Sequence, residues 1–132
     1  MKSEEIVRIA KGDIGKSRDE VGCPGDYAWC AAWASSVLNR AGVGDGVTST
    51  SCTLMQRYMS ENKDWDEPED YPKPGDIIFF GGYYDWQYRT IGHVAIYVGG
   101  DTIVHASGGG FGVIESNYTD RRQSIVAIAR PF

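Results

Sequence analysis

A chain of 132 residues is long enough to bury a hydrophobic core in one domain, without disulfides or metals to hold it together. Its 42% hydrophobic content excludes a disordered chain. A net charge of −5, with no basic cluster beyond Arg121-Arg122, excludes a phosphate-tracking nucleic-acid surface.

Residues 1–132 therefore read as a single domain. The N-terminus, Met-Lys-Ser-Glu-Glu-Ile-Val-Arg, carries acidic residues where a signal peptide needs a basic start and an apolar run, so no signal peptide is expected. No window approaches the roughly 20 apolar residues that cross a bilayer.

In chain order, Ile6, Val7, Ile9 and Ala10 fall on one face of a helix over residues 3–11, which Ser3, Glu4 and Glu5 suit as a start. Gly12 to Gly25 reads as loop. A second helix begins near Trp29 and ends at Gly42, with Cys30, Trp33, Ala34, Val37, Leu38 and Ala41 at the spacing of a buried face. A third helix is predicted from Thr50 or Ser51 to Met59, and the acidic run Glu61 to Pro74, with prolines at 68, 72 and 74, reads as an ordered connector.

From Gly75 the pattern changes to short β-branched and aromatic runs. These are Asp76 to Phe80, Gly92 to Val98, Thr102 to Ala106, Gly112 to Glu115 and Ile125 to Ala129. Helices followed by an antiparallel meander give an α+β fold, with the N-terminal helices packed on one side of a curled sheet of five to six strands.

The three cysteines, Cys23, Cys30 and Cys52, are an odd number, and with His93 and His105 far downstream they match no common zinc spacing. In an oxidising environment Cys23 and Cys52 could pair and leave Cys30 as the thiol. Asp13, Asp19, Glu20 and Asp26 offer oxygen ligands, but not in the order of a calcium-binding loop, so they read as solvated loop carboxylates. No metal or other cofactor is expected.

Cys30 opens a helix, where the dipole favours a thiolate and unpaired backbone N–H groups can receive the oxyanion of an attacked carbonyl. Alone, it reads equally as a small buried hydrophobe. A base is needed, and Gly92-His93-Val94 places His93 at the start of an apolar strand. His105 follows on the next strand, across a turn at Gly99-Gly100.

Parity decides whether the two rings meet. A three-residue loop, Gly99 to Asp101, puts Ala95 opposite His105 and both imidazoles on one face; a two-residue Gly99-Gly100 loop puts them on opposite faces. A hydrogen bond between the histidines therefore requires an odd-length turn or a compensating bulge. In that arrangement Cys30 is the nucleophile, His93 takes and returns its proton, and His105 orients the His93 ring.

Four blocks resemble the NlpC/P60 peptidases and the related CHAP amidases, cysteine hydrolases that cut bacterial cell-wall peptides. They are "WCAAWASSVLNRAG" at 29–42, "KPGDIIFFGG" at 73–82, "GHVAIYVGG" at 92–100 and "DTIVHASGG" at 101–109. The resemblance implies a papain-like fold and cleavage of a peptidoglycan amide through a Cys30 thioester, as an endopeptidase or amidase, with His93 as base and His105 as third residue. In CHAP enzymes the third residue tends to be a Glu or Asn on the following strand, which leaves Glu115 and Asn117 as alternatives.

By the same resemblance Tyr27 can lend its hydroxyl to the oxyanion, or simply pack beside the helix. Asp26 can cap the Cys30 helix or touch a substrate amine, and Tyr84 and Trp86, in the aromatic loop at 81–89, can wall a cleft. The resemblance and the missing signal peptide together imply a protein made in the cytoplasm that acts in the periplasm or wall after lysis or delivery. A holin, a secretion machine or an immunity protein would be its partners, and the active form is expected to be a monomer. The rival readings are an amide or thioester hydrolase or acyltransferase with another substrate, and a non-catalytic module that binds the wall or a partner.

Overall fold

The computed structural model describes residues 1–17, 19–21, 29–43, 64–66, 72–81, 91–107 and 112–132. Helix α1 spans Lys2–Gly12 and buries Ile6, Ile9 and Ala10, with Glu4 and Glu5 in its first turn and Lys11 in its last, each beside the helix end whose partial charge it complements. Helix α2 spans Trp29–Arg40 and buries Cys30, Trp33, Ala34, Val37 and Leu38, the face read from the sequence. The helix predicted at 50–59 lies outside the described residues.

Six strands follow: β1 (Asp64–Asp66), β2 (Ile77–Gly81), β3 (Ile91–Gly99), β4 (Thr102–Ser107), β5 (Gly112–Asn117) and β6 (Ile125–Arg130). They form one antiparallel sheet in the order β1-β6-β2-β3-β4-β5. Two features depart from the expected meander. Strand β6 returns past the meander β2-β3-β4-β5 to pair with β2, and the connector contains the short edge strand β1, which pairs with β6. Pro72 and Pro74 lie outside the strands, as their missing N–H requires, and Pro68 lies outside the described residues. A 3-10 helix, Thr119–Ser124, joins β5 to β6.

Strands such as Ile77-Ile78-Phe79-Phe80 are apolar at both parities, the pattern of a sheet covered on both faces. One cluster joins Ile6, Ala10, Trp33, Val37 and Leu38 of the helices to Ile77, Phe79, Val94, Ile96, Val104 and Ala127. A second, of Ile78, Phe80, Ala95, Tyr97, Ile103, Tyr118, Ile125 and Ile128, takes the alternate positions. Among the described residues no helix is long and apolar enough to cross a membrane.

Two glycine-dependent backbone features fix the sheet. At Lys73-Pro74-Gly75-Asp76 the Asp76 N–H donates to the Lys73 carbonyl at 2.9 Å, and Gly75 has φ +99°, so Pro74 and Gly75 take the two central positions of a type II turn into β2. At the start of β5, Gly15 N–H donates to Val113 O at 2.8 Å and Val113 N–H to Lys16 O at 3.0 Å, tying the segment after α1 to the sheet edge. Gly112 has φ +77°, and a Cβ there would lie 2.5 Å from the Lys16 carbonyl oxygen, so only glycine allows this approach.

Asp13 is no solvated loop carboxylate, contrary to the sequence reading. It is buried at the C-terminus of α1, where Trp33 Nε1 donates to Oδ2 at 2.9 Å and Arg40 donates from Nη1 to Oδ1 at 3.3 Å and from Nη2 to Oδ2. Lys16 Nζ lies 3.5 Å from Oδ1. Burial pushes the Asp13 carboxyl up, but the hydrogen bonds from Arg40 and Trp33 and the charges of Arg40 and Lys16 outweigh it and hold the group below its ordinary value.

A carboxyl depressed in the folded state stabilises the fold above its unfolded value, about pH 4, and that contribution fades as pH falls through the folded value. Urea midpoints of wild type and Asp13→Asn should therefore differ at neutral pH and converge in acid. A constant gap across that range would contradict the argument.

Candidate active site

The β3-β4 hairpin positions the two histidines. Ile96 pairs with Val104 and Tyr97 with Ile103, but Gly99 pairs with Thr102, so the register shifts between Tyr97 and Gly99 and Val98 is the extra residue. The turn is then the two-residue Gly100-Asp101, with φ +58° and +62°, the left-handed geometry of a type I′ hairpin. Asp101 is held in that conformation by its own contacts: its carbonyl accepts from Tyr118 N–H at 2.8 Å and its Oδ1 from Thr119 Oγ1 at 2.7 Å. A two-residue turn alone would separate the imidazoles; the bulge restores their parity.

His93 Nε2 lies 2.8 Å from His105 Nδ1, with the rings edge to face at 89°. His105 is 2% exposed, and its Nε2 lies 2.8 Å from Ser116 Oγ on β5. His93 is half-buried and stands directly opposite Phe80 of β2, where the register with β6 shifts before Phe80 and the register with β3 shifts after it. Such irregularities bend a strand and increase its twist, and here they flank the end of the sheet that carries His93.

Cys30 occupies the second position of α2, buried in the helix-side cluster with Val94, Val104 and Ala106, the immediate chain neighbours of the two histidines. Helix α2 packs on β3 and β4, the strands that bear them. Of the alternatives for the third residue, Glu115 and Asn117 are exposed at the other parity of β5, and Asn117 Oδ1 accepts from Asp120 N–H at 3.1 Å, capping the 3-10 helix. Asp26, Tyr27, Tyr84, Trp86, Cys23 and Cys52 lie outside the described residues.

Ser116 is the member of this group that the sequence did not disclose. It sits between the two candidates considered there, and the pairings Ile103 with Ser116 and His105 with Ile114 make it a diagonal neighbour of His105 on the same face. The parity argument that placed His93 against His105 would have found it, given the register across residues 108–111.

Among the described residues no group of three or more His, Cys, Asp or Glu side chains is placed to hold a metal ion. Of the carboxylates weighed for calcium, Asp13 is committed to Trp33 and Arg40, and Glu20 forms a reciprocal capping box with Ser17, with N–H to side-chain contacts of 3.2 and 3.3 Å.

Comparison with known families decides the wider relationship: the profile of the NlpC/P60 family matches residues 22–128. The chain belongs to the NlpC/P60 family. Its fold is the NlpC/P60 papain-like fold, seen also in solved structures. NlpC1 from Trichomonas vaginalis is 22% identical with a TM-score of 0.68, over 97% of this chain and 43% of that one. An NlpC/P60 family protein from Bacillus cereus is 16% identical with a TM-score of 0.70, over 97% of this chain and 39% of that one.

The NlpC/p60 domain of the peptidoglycan hydrolase SagA is 18% identical with a TM-score of 0.66, over 96% of this chain and 97% of that domain. This chain thus spans less than half the length of the T. vaginalis and B. cereus proteins and nearly all of the SagA domain. No curated protein matches it.

Proposed function

We propose that this NlpC/P60 chain is a cysteine hydrolase that cleaves an amide bond of bacterial peptidoglycan. The observation that carries the reading is the 2.8 Å contact between His93 and His105, on the two strands that pack under the Cys30 helix. Membership of the family and the likeness to the SagA hydrolase domain support a wall substrate.

Cys30 Sγ attacks the amide carbonyl carbon as a thiolate, and backbone N–H groups at the start of α2 receive the developing oxyanion. As the C–N bond breaks, His93 gives its proton to the leaving amine, and an acyl-Cys30 thioester remains. Water then attacks the thioester while His93 takes the water proton, and collapse frees the carboxylic acid and returns the thiol proton. His105 holds the His93 ring through Nε2, so that Nδ1 is the nitrogen that exchanges the proton. The substrate sets the place of action, the periplasm or wall.

Two results are expected. Purified protein should release new primary amines from isolated peptidoglycan, and His93→Ala should slow release at least about a hundredfold at unchanged thermal midpoint. Unchanged release by His93→Ala would remove the general base from the account. In denaturant-free buffer at about pH 6, iodoacetamide should modify Cys30 ahead of Cys23 and Cys52, because the proposed reaction needs Cys30 as a thiolate, the form that a helix start favours. Equal rates at the three cysteines would contradict activation of Cys30.

A further inference from the structure

We propose that Ser116 is a positioning residue that fixes the direction of hydrogen bonding through both histidines. The inference rests on the reading of His93 as the proton carrier, and it extends that site by a residue on a third strand.

The chain runs from His93 Nε2 to His105 Nδ1 and from His105 Nε2 to Ser116 Oγ, each at 2.8 Å. A neutral imidazole offers one donor and one acceptor, so two directions satisfy the contacts. In the first, His93 Nε2–H donates to His105 Nδ1, and His105 Nε2–H donates to Ser116 Oγ. In the second, Ser116 O–H donates to His105 Nε2, and His105 Nδ1–H donates to His93 Nε2. Only the first leaves the His93 Nδ1 lone pair open to a thiol proton.

Once His93 is an imidazolium, the choice disappears. Both of its nitrogens are donors, so His105 Nδ1 must accept, the His105 proton must sit on Nε2, and that N–H must find an acceptor in a place where the ring is 2% exposed. The Ser116 hydroxyl supplies the acceptor lone pair. Alanine at this position removes the acceptor that this N–H meets in the charged state, whereas the neutral pair can take the second direction, which blocks His93 Nδ1. The hydroxyl therefore matters most to the state in which His93 carries the proton.

The test combines nitrogen NMR of the imidazoles in the free protein with steady-state kinetics on isolated peptidoglycan. In wild type His105 should be the Nε2–H tautomer. Ser116→Ala should raise the Nδ1–H population and lower kcat about tenfold with KM nearly unchanged, and Ser116→Thr, which keeps the hydroxyl, should restore both. The proposal is overturned if Ser116→Ala leaves the His105 tautomer as in wild type, or if it changes the tautomer but keeps wild-type kcat. The NMR measurement needs no substrate, so an inactive wild type would sink the assigned activity while the tautomer comparison still decides the role of Ser116.

Discussion

Replacing Cys30 by alanine should lower kcat/KM on peptidoglycan by at least about a thousandfold, while the protein stays folded. Removal of a covalent nucleophile discards the whole acyl-enzyme route, and what remains is binding and oxyanion stabilisation. The change is structurally mild, because Cys30 is buried among apolar neighbours, behaves there as a small hydrophobe, and loses one sulfur atom. Far-UV circular dichroism and the thermal midpoint should be close to wild type. Cys30→Ser should be nearly as inactive, since a hydroxyl lacks the readily formed anion of a thiol. Undiminished turnover by folded Cys30→Ala would end the covalent mechanism.

The largest loss of stability is expected for Asp76→Ala. Asp76 is fully buried, and Arg130 forks onto it with Nε to Oδ1 and Nη2 to Oδ2 both at 2.9 Å, the planar two-bond geometry that arginine and carboxylate share. The same carboxylate accepts from Lys73 N–H at 2.8 Å, so it closes the Pro74-Gly75 turn at the start of β2 and clamps the end of β6 beside it.

Truncation removes a bidentate partner of a mostly buried guanidinium and the acceptor of a turn N–H together, at a cost of about 3–5 kcal/mol. For a domain of this size that corresponds to a fall in thermal midpoint of roughly 10 °C or more. Asp76→Asn, which keeps an acceptor oxygen but not the charge, should fall between the two. A loss under about 1 kcal/mol would reduce the contact to the value of an exposed surface pair.

Much of this was legible in the sequence. The five long strands begin and end within about two residues of the runs read from β-branched and aromatic composition, and the buried face of α2 follows its three-and-four spacing. These features depend on local pattern, which is written in consecutive residues. The requirement for an odd turn or a bulge between His93 and His105 also came from local counting, and the structure has the bulge at Val98.

Partner choice was not legible. Nothing within β6 says that it pairs with β2 rather than continuing the meander beside β5, because that depends on where distant segments pack. Asp13 looked solvated because its loop is polar, and its partners Trp33 and Arg40 lie 20 and 27 residues away. Ser116 escaped for a related reason. Glu115 and Asn117 were weighed because CHAP enzymes tend to carry a Glu or Asn on that strand, but register selects by parity, and parity selects the serine.

The central claim is that a peptidoglycan amide is cut through Cys30 and His93. It is tested most directly by mass spectrometry of the products released from purified peptidoglycan by wild-type protein, with Cys30→Ala run alongside. The account predicts fragments bearing one new amino group and one new carboxyl per cut, intact glycosidic bonds, and no such fragments from Cys30→Ala. Folded wild-type protein that yields no new amide termini, or cleavage that persists in Cys30→Ala, would contradict it.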